Sequence, residues 1–291
     1  MVNVSLKSPS RLRWAVSKNL PNLFCDIIRP RNLAVTFSVV AAMLTQVSAA
    51  PPGWELVWSD DFSKFDESKW SRGYRWGKTH NHRAYMADSQ VSVSDGKLRL
   101  IAKAGRPVGA PSSVKQGGVT HAIDYTSGVI HTAGKFRVTD AFVEARIKLS
   151  GVRGTWPAFW LLSETRDWPP EIDIMENPVK DGRDAARRWF YNFHYGADWR
   201  SKKSFGGSKV HDESLADEFH VYGMAWSGNY IEFYFDGKRV ARYDRKEPDG
   251  ADNMYLIFNL AVGGWGGSPA DPFPETAMEV DWVRVHKWIG K

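Results

Sequence analysis

Six consecutive residues, Glu171-Ile172-Asp173-Ile174-Met175-Glu176, set three carboxylates among apolar β-formers. In an extended strand alternate side chains share a face, so Glu171 and Asp173 point one way and Ile172 and Ile174 the other. Glu176 then has the wrong parity and would enter a core, where a lone carboxylate is costly. One extra residue, a β-bulge at Met175, returns Glu176 to the acidic face, and bulges recur beside active sites. Two glutamates on one face with an aspartate between them are the equipment of a retaining glycosidase. One carboxylate is the nucleophile and the other the general acid/base, roughly 5–5.5 Å apart. A charged edge strand is the alternative, because charge protects a sheet edge from pairing. The neighbouring sequence favours the catalytic reading, since it supplies the materials of a sugar cleft.

Those materials are aromatic. In Trp156-Pro157-Ala158-Phe159-Trp160 the two tryptophans share one strand face and Phe159 takes the other. Thirteen of the fourteen tryptophans follow residue 49. Trp156, Trp160, Trp168 and Trp265 lie in or near segments that can border the carboxylates. Flat apolar sugar faces stack on such rings, while hydroxyls need polar groups at the rim. At least two of the four are expected to be sugar platforms and the others to fill the core.

The elements that must position these groups read almost entirely as strands. Trp54–Trp58 opens the series, and Gln90–Ala102 is a hairpin around Asp95-Gly96. A Gly-, Pro- and Ser-rich loop is predicted over 105–118. Strands follow at Tyr125–His131, Gly134–Val138, Phe142–Leu149, Trp156–Leu162, Glu171–Glu176 and Trp189–Tyr195. The remainder are Phe219–Trp226, Tyr230–Phe235, Lys238–Tyr243, Tyr255–Val262 and Ala277–Lys287, with one short helical turn near Glu213–Glu218. Many strands separated by turn signals predict an all-β sandwich of antiparallel sheets. In Phe142–Leu149 the apolar set Val143, Ala145, Ile147 and Leu149 belongs between the sheets, and Glu144, Arg146 and Lys148 on an outer face.

The formal charge of +6 on 291 residues misleads. Residues 1–49 hold six basic residues and one acidic one, followed by an apolar run, Leu33–Leu44, and small residues at Val47-Ser48-Ala49. That is the layout of a secretory signal with cleavage after Ala49, and its apolar run is too short to span a bilayer comfortably. Residues 50–291 form the remaining domain, with 33 basic and 32 acidic residues. With that balance the high calculated pI says nothing about a nucleic-acid partner; none is expected, nor a membrane partner once the leader is removed. The expectation is a secreted monomer acting on a polysaccharide. Cys25, the sole cysteine, lies in the leader, so disulfides give the domain no support.

From about Trp54 to Trp288 the chain resembles glycoside hydrolase family 16, the β-jelly-roll glucanases and galactanases. The resemblance is carried by Tyr125-Thr126-Ser127-Gly128, by Gly154-Thr155-Trp156-Pro157-Ala158-Phe159-Trp160 and by the acidic strand. His194-Tyr195-Gly196, Asn259-Leu260-Ala261-Val262-Gly263-Gly264 and Val280-Asp281-Trp282-Val283-Arg284-Val285 complete it. It implies two stacked sheets with substrate crossing a concave cleft, Glu171 as nucleophile, Glu176 as acid/base and Asp173 hydrogen-bonded between them. It also implies that His194 lies near the acid/base, although a histidine bonded within the core fits the sequence equally well. Glu144 matches a substrate contact, and its outer-face parity agrees. No cofactor is required for the chemistry. A structural calcium away from the cleft is implied at Gly96, through its carbonyl, and at Asp281; carbonyl plus carboxylate suits a hard cation.

Met175 resembles the laminarinase and galactanase branches, because the mixed-linkage lichenases spell the acidic motif without it. The tryptophan strand and the C-terminal third resemble laminarinases, which implies a β-1,3-glucan or β-1,3-1,4-glucan substrate. One departure stands against this. Where laminarinases often carry Asn-Asn-Glu-Leu-Gln-Tyr, this chain has His80-Asn81-His82-Arg83-Ala84-Tyr85, keeping Asn81 as a candidate contact and losing the Glu and Gln. Residues 177–209 hold eight Lys/Arg against three Asp. They read either as a solvated loop or as attraction for an anionic polysaccharide, such as a sulfated galactan or an acidic exopolysaccharide. Transglycosylation, which differs only in the acceptor, stays open. A non-catalytic glucan-binding module is the rival from another class, and such a module has no need of the three carboxylates.

Overall fold

A computed structural model describes residues 51–80, 83–165, 168–180, 185–245 and 252–290. The leader and Asn81 therefore lie outside the described residues, as does Arg183 of the basic segment. The strands are β1 (Trp54–Asp60), β2 (Ser71–Arg72), β3 (Ala84–Met86), β4 (Val91–Ser94), β5 (Lys97–Ala104), β6 (Ser113–Gln116) and β7 (Val119–Ala122). Next come β8 (Tyr125–Ser127), β9 (Val129–His131), β10 (Ala141–Lys148), β11 (Thr155–Ser163), β12 (Glu171–Glu176), β13 (Arg188–Tyr195) and β14 (Lys203–Val210). The chain closes with β15 (His220–Trp226), β16 (Tyr230–Phe235), β17 (Lys238–Asp244), β18 (Met254–Val262) and β19 (Thr276–Trp288).

They form two large sheets. One, of ten strands, runs β17-β16-β15-β10-β19-β5-β8-β3, with β1 also paired to β19 and β4 to β5. The other, of seven strands, runs β14-β13-β12-β11-β18-β9-β2, and β6–β7 is a separate hairpin. All pairings within the large sheets are antiparallel except β3 with β8. Alternation makes the sandwich: Val143, Ala145 and Ile147 of β10 join Phe159, Leu161, Ile172 and Phe258 of the seven-stranded sheet in one buried core. Among the described residues no helix is long and apolar enough to cross a membrane.

Several expectations change. The Tyr125–His131 run is split at Gly128, where β8 and β9 part to different sheets, and a Cβ there would lie 2.5 Å from the Gln90 carbonyl oxygen. The 105–118 loop carries β6, half of a hairpin. Gly134–Val138 is not a strand, for its backbone turns back on Thr132 and only Val138 bridges, to Met254. The short turn expected near Glu213–Glu218 is present, with Asp217 N donating to Ser214 O at 3.1 Å. β14, an edge strand paired to β13, was unforeseen because Lys203-Ser-Phe-Gly-Gly-Ser-Lys has no apolar alternation.

Candidate active site

β12 lies inside its sheet between β11 and β13, which disposes of the edge-strand reading. Its register carries the extra residue. Against β11, Met175 pairs with Phe159 and Asp173 with Trp160; against β13, Asp173 pairs with Asn192 and Glu176 with Phe190. Two residues, Ile174 and Met175, thus oppose one. Ile172, Ile174 and Met175 are all fully buried in the core, so both bulge residues point inward and Glu176 is released to the other face.

Three rows of side chains cross that face. Tyr255, Leu162, Glu171 and His194 align in the first, and Ile257, Trp160, Asp173 and Asn192 in the second. Asn259, Ala158, Glu176 and Phe190 align in the third. Each glutamate receives an indole N–H: Trp168 Nε1 donates to Glu171 Oε2 at 2.8 Å and Trp156 Nε1 to Glu176 Oε1 at 3.0 Å. Trp160 Nε1 donates to Asn259 Oδ1 at 2.7 Å, which fixes the amide with its Nδ2 unpartnered among the described residues. Trp156 and Trp160 line the recess at the three carboxyls and Trp160 and Trp168 the cavity beside Glu171, whereas Trp265 reaches this group through Trp156, which it meets edge-on with ring centres 5.6 Å apart; Trp168 lies 5.8 Å from the His194 ring.

Burial pushes all three carboxyls up. Glu176 is raised well above the carboxylate range by burial and then by the charges of Asp173 and Glu171. Asp173, also well raised, is buried beside Glu171 and hydrogen-bonded to it, and that bond and the indole of Trp168 favour an ionised Glu171. The hydrogen bond between the two thus raises Asp173 and lowers Glu171, which favours the shared proton on Asp173, while burial favours the protonated form of Glu176.

His194 sits on the cleft side of β13, but beside Glu171 and Asp173 rather than beside Glu176, with Nε2 3.5 Å from Asp173 Oδ2. Nε2 lies 3.0 Å from Asn192 Nδ2 and Nδ1 2.8 Å from Ser204 Oγ, and burial lowers the pKa toward the neutral form.

Glu144 is a correction. It lies on β10 in the ten-stranded sheet, fully buried near His286 and on a face covered by Phe142 and Tyr234, away from the cleft. Alternation fixes the side of a strand but not the sheet it joins. Gly96 and Asp281 are corrected too. Gly96 forms the β4–β5 turn as expected, yet the Asp281 carboxylate accepts from Arg146 Nη1 at 2.7 Å. A guanidinium already neutralises that anion, so the pair does not fit a calcium site. The described residues with three ligand atoms near one another, within 4.8 Å, are Glu171, Asp173 and His194.

Residues that the sequence did not single out wall the cleft on the Glu171 side. Arg75, Trp76, His80 and Tyr255 join Trp160, Trp168 and Glu171 around a cavity of about 510 Å³. His80 lies 6.4 Å from Trp160, nearly parallel, and edge-on to Trp76 at 5.2 Å. Arg75 is anchored by Glu164, its Nη1 2.9 Å from Oε2. The available signal was the run Tyr74-Arg75-Trp76, which ends five residues before the candidate Asn81.

The family profile described as "Beta-porphyranase A-D, GH16 domain" matches residues 54–288. Endo-1,3-1,4-beta-glycanase ExsH of Rhizobium meliloti (strain 1021) is 34% identical over 214 residues, which cover 73% of this chain and 43% of that protein. Keratan-sulfate endo-1,4-beta-galactosidase of Sphingobacterium multivorum is 30% identical over 261 residues, covering 84% of this chain and 58% of that protein. The chain thus spans only about half the length of these curated relatives. Among solved structures, the catalytic domain of an endo-1,3-beta-glucanase (laminarinase) from Thermotoga petrophila RKU-1 matches with a TM-score of 0.67 at 26% identity. That match covers 81% of this chain and 99% of that one. With a profile match that runs through β1 to β19 and includes the bulged acidic strand, the chain belongs to glycoside hydrolase family 16.

Proposed function

We propose that the protein is an endo-acting, retaining glycosidase that cuts internal β-linkages of a polysaccharide by double displacement. The observation that carries this reading is the bulge, which turns all three carboxyls onto one aromatic-lined face. Glu171, ionised and oriented by the Trp168 indole, attacks the anomeric carbon. Glu176, neutral and oriented by Trp156, donates its proton to the leaving oxygen. Water then enters, Glu176 takes its proton, and the glycosyl–Glu171 ester is cleaved with the β-configuration restored. Asp173 keeps the shared proton beside Glu171, so no second negative charge accumulates there. Export from the cell by the 1–49 leader and a monomeric state belong to the same proposal.

β-1,3-Glucan or β-1,3-1,4-glucan is the substrate of first choice, supported by the names of the ExsH and laminarinase relatives. A second reading, an anionic galactan or exopolysaccharide, is favoured by two exposed lysines. Lys202 Nζ lies 5.4 Å over the ring of Trp168, which bonds Glu171, and Lys180 Nζ 5.4 Å over Trp265, which packs on the Trp156 that bonds Glu176. The porphyranase profile and the keratan-sulfate relative agree with it. The test is hydrolysis of laminarin, mixed-linkage glucan, agarose, carrageenan and an acidic exopolysaccharide at low and high salt, with proton NMR of the new reducing ends. β-Anomers should appear first, and initial α-product would remove the mechanism. Salt-independent rates on the best substrate would remove the anionic reading, because exposed charges are screened within about 8–10 Å at ordinary ionic strength.

A further inference from the structure

A second aromatic pocket, of about 390 Å³, opens far from the carboxylates, where β1 begins, β19 ends and the β15–β16 turn meets them. Trp54, Tyr230 and Trp288 wall it, and Asp140, Ser227 and Asn229 supply a carboxylate, a hydroxyl and a carboxamide. Trp54 and Tyr230 pack on a small cluster of Phe142, Ala225 and Tyr234, separate from the main core. Phe142 has the opposite parity to Val143, Ala145 and Ile147, so this cluster covers the outer face of the ten-stranded sheet. The cleft is on the outer face of the other sheet.

Trp288 is 48% exposed, yet it is not a loose surface ring. It is paired in register with Trp54, whose ring meets it edge-on at 5.4 Å. A Cβ on Gly53 would come within 2.5 Å of the Trp288 ring, and one on Gly290 within 2.3 Å. The backbone therefore lies directly against the indole at two points, and Ile289 N, donating to Gly53 O at 2.9 Å, ties those segments together. At Gly228, on the turn across the pocket, the position of a Cβ meets no atom within 4 Å, so the space above remains open. A half-exposed ring held this firmly is a platform whose ordering cost has been met in folding rather than in binding. Rings beside a carboxylate, a carboxamide and a hydroxyl repeat the ingredients of the cleft, where tryptophans stand beside carboxyls and Asn259.

We infer that this pocket is a second sugar-binding site, taking a short segment of a neutral β-linked polysaccharide on the face opposite the cleft. The inference rests on the reading of the chain as a polysaccharide hydrolase. Such a site holds the enzyme on its polymer between cuts and raises the local concentration of bonds to cleave.

The test uses the full chain with Trp288→Ala and, separately, Tyr230→Ala and Asn229→Ala. Retention is measured by affinity electrophoresis in laminarin and mixed-linkage glucan and by sedimentation with insoluble β-1,3-glucan. Hydrolysis of a short soluble oligosaccharide is followed in parallel. The aromatic variants should bind polymer roughly five- to tenfold more weakly, the loss of about one hot-spot contact. Their kcat/KM on the oligosaccharide should be unchanged, and Trp288→Phe should restore most of the retention. Unchanged retention in all three variants overturns the site. So does an oligosaccharide rate that falls in step with retention, or a Trp288→Ala effect confined to oligomeric state, which would make the surface a protein contact. Wild-type protein that hydrolyses nothing but is retained through Trp288 overturns the hydrolase reading and leaves this site standing.

Discussion

Deleting Met175 tests how Glu176 reaches the cleft. Without that residue the strand reads Glu-Ile-Asp-Ile-Glu, and plain alternation places all three carboxylates on one face. The deletion removes a fully buried side chain, worth about 2–5 kcal/mol in large-to-small series. It also draws in Asn177, which is fully buried. Its Nδ2 donates to Ala185 O at 2.9 Å and Arg188 O at 2.5 Å, and its N to Pro157 O at 3.0 Å. Losing one such bond adds about 1–3 kcal/mol. The sum, about 3–8 kcal/mol, approaches the whole stability of many domains. Assays therefore belong at low temperature, with calorimetry expected to show Tm lower by at least about 6 °C. Near-ultraviolet circular dichroism would verify native packing, and hydrolysis of the best polysaccharide should remain measurable. Met175→Gly keeps the bulge and loses only the side chain, so it should be destabilised by about 2–5 kcal/mol and stay active. An alanine inserted after Met175 should abolish activity by turning Glu176 toward the core. If the deletion variant folds natively but is as inactive as Glu176→Ala, the bulge is not what delivers Glu176.

Two further outcomes follow from charge. Glu176 is raised above its ordinary value of 4.5 by burial first, so the native state holds its proton more tightly than the unfolded chain. Its contribution is intact below the ordinary value and is lost as pH rises toward the raised one. Glu176→Gln should therefore gain Tm relative to wild type progressively above pH 4.5, read by calorimetry across a pH series, and a relative loss would contradict the burial argument. Arg146 occupies the Asp281 carboxylate, so neither chelator nor added calcium should move Tm; a calcium-dependent rise would return Asp281 to the list of ligands.

The acidic strand, its bulge and the tryptophan strand were legible because each is a local pattern whose parity decides its face. The strand ladder was legible for the same reason wherever apolar residues alternate. Glu144 failed because parity says nothing about sheet membership, and Asp281 because its Arg146 partner is 135 residues away. His194 lies on the cleft face, but opposite Glu171; Phe190, four positions away along β13, is the residue opposite Glu176, and pairing along a whole strand cannot be read from one motif. Trp76 escaped notice, and His80 was read only as the neighbour of Asn81, because loop residues enter the cleft through tertiary folding, with no periodicity to announce them.

β19 sits in the middle of its sheet, between β10 on one side and β5 and β1 on the other. Within the described pairings β1 has no other strand neighbour, and Trp54 waits for Trp288. Order of synthesis then separates the two sheets in time. Every strand of the sheet bearing the carboxylates is present once Val262 has been made, but the sheet backing it lacks its central member until Thr276–Trp288 follow. Pairings this distant make folding slow and leave strand edges open meanwhile, the condition under which nascent β-proteins aggregate. The core face of β12, with Ile172, Ile174 and Met175, has an incomplete wall to pack against during that interval. A chain stalled before residue 276 would carry every catalytic candidate and the sheet that bears them, but lack the central strand of the sheet behind it.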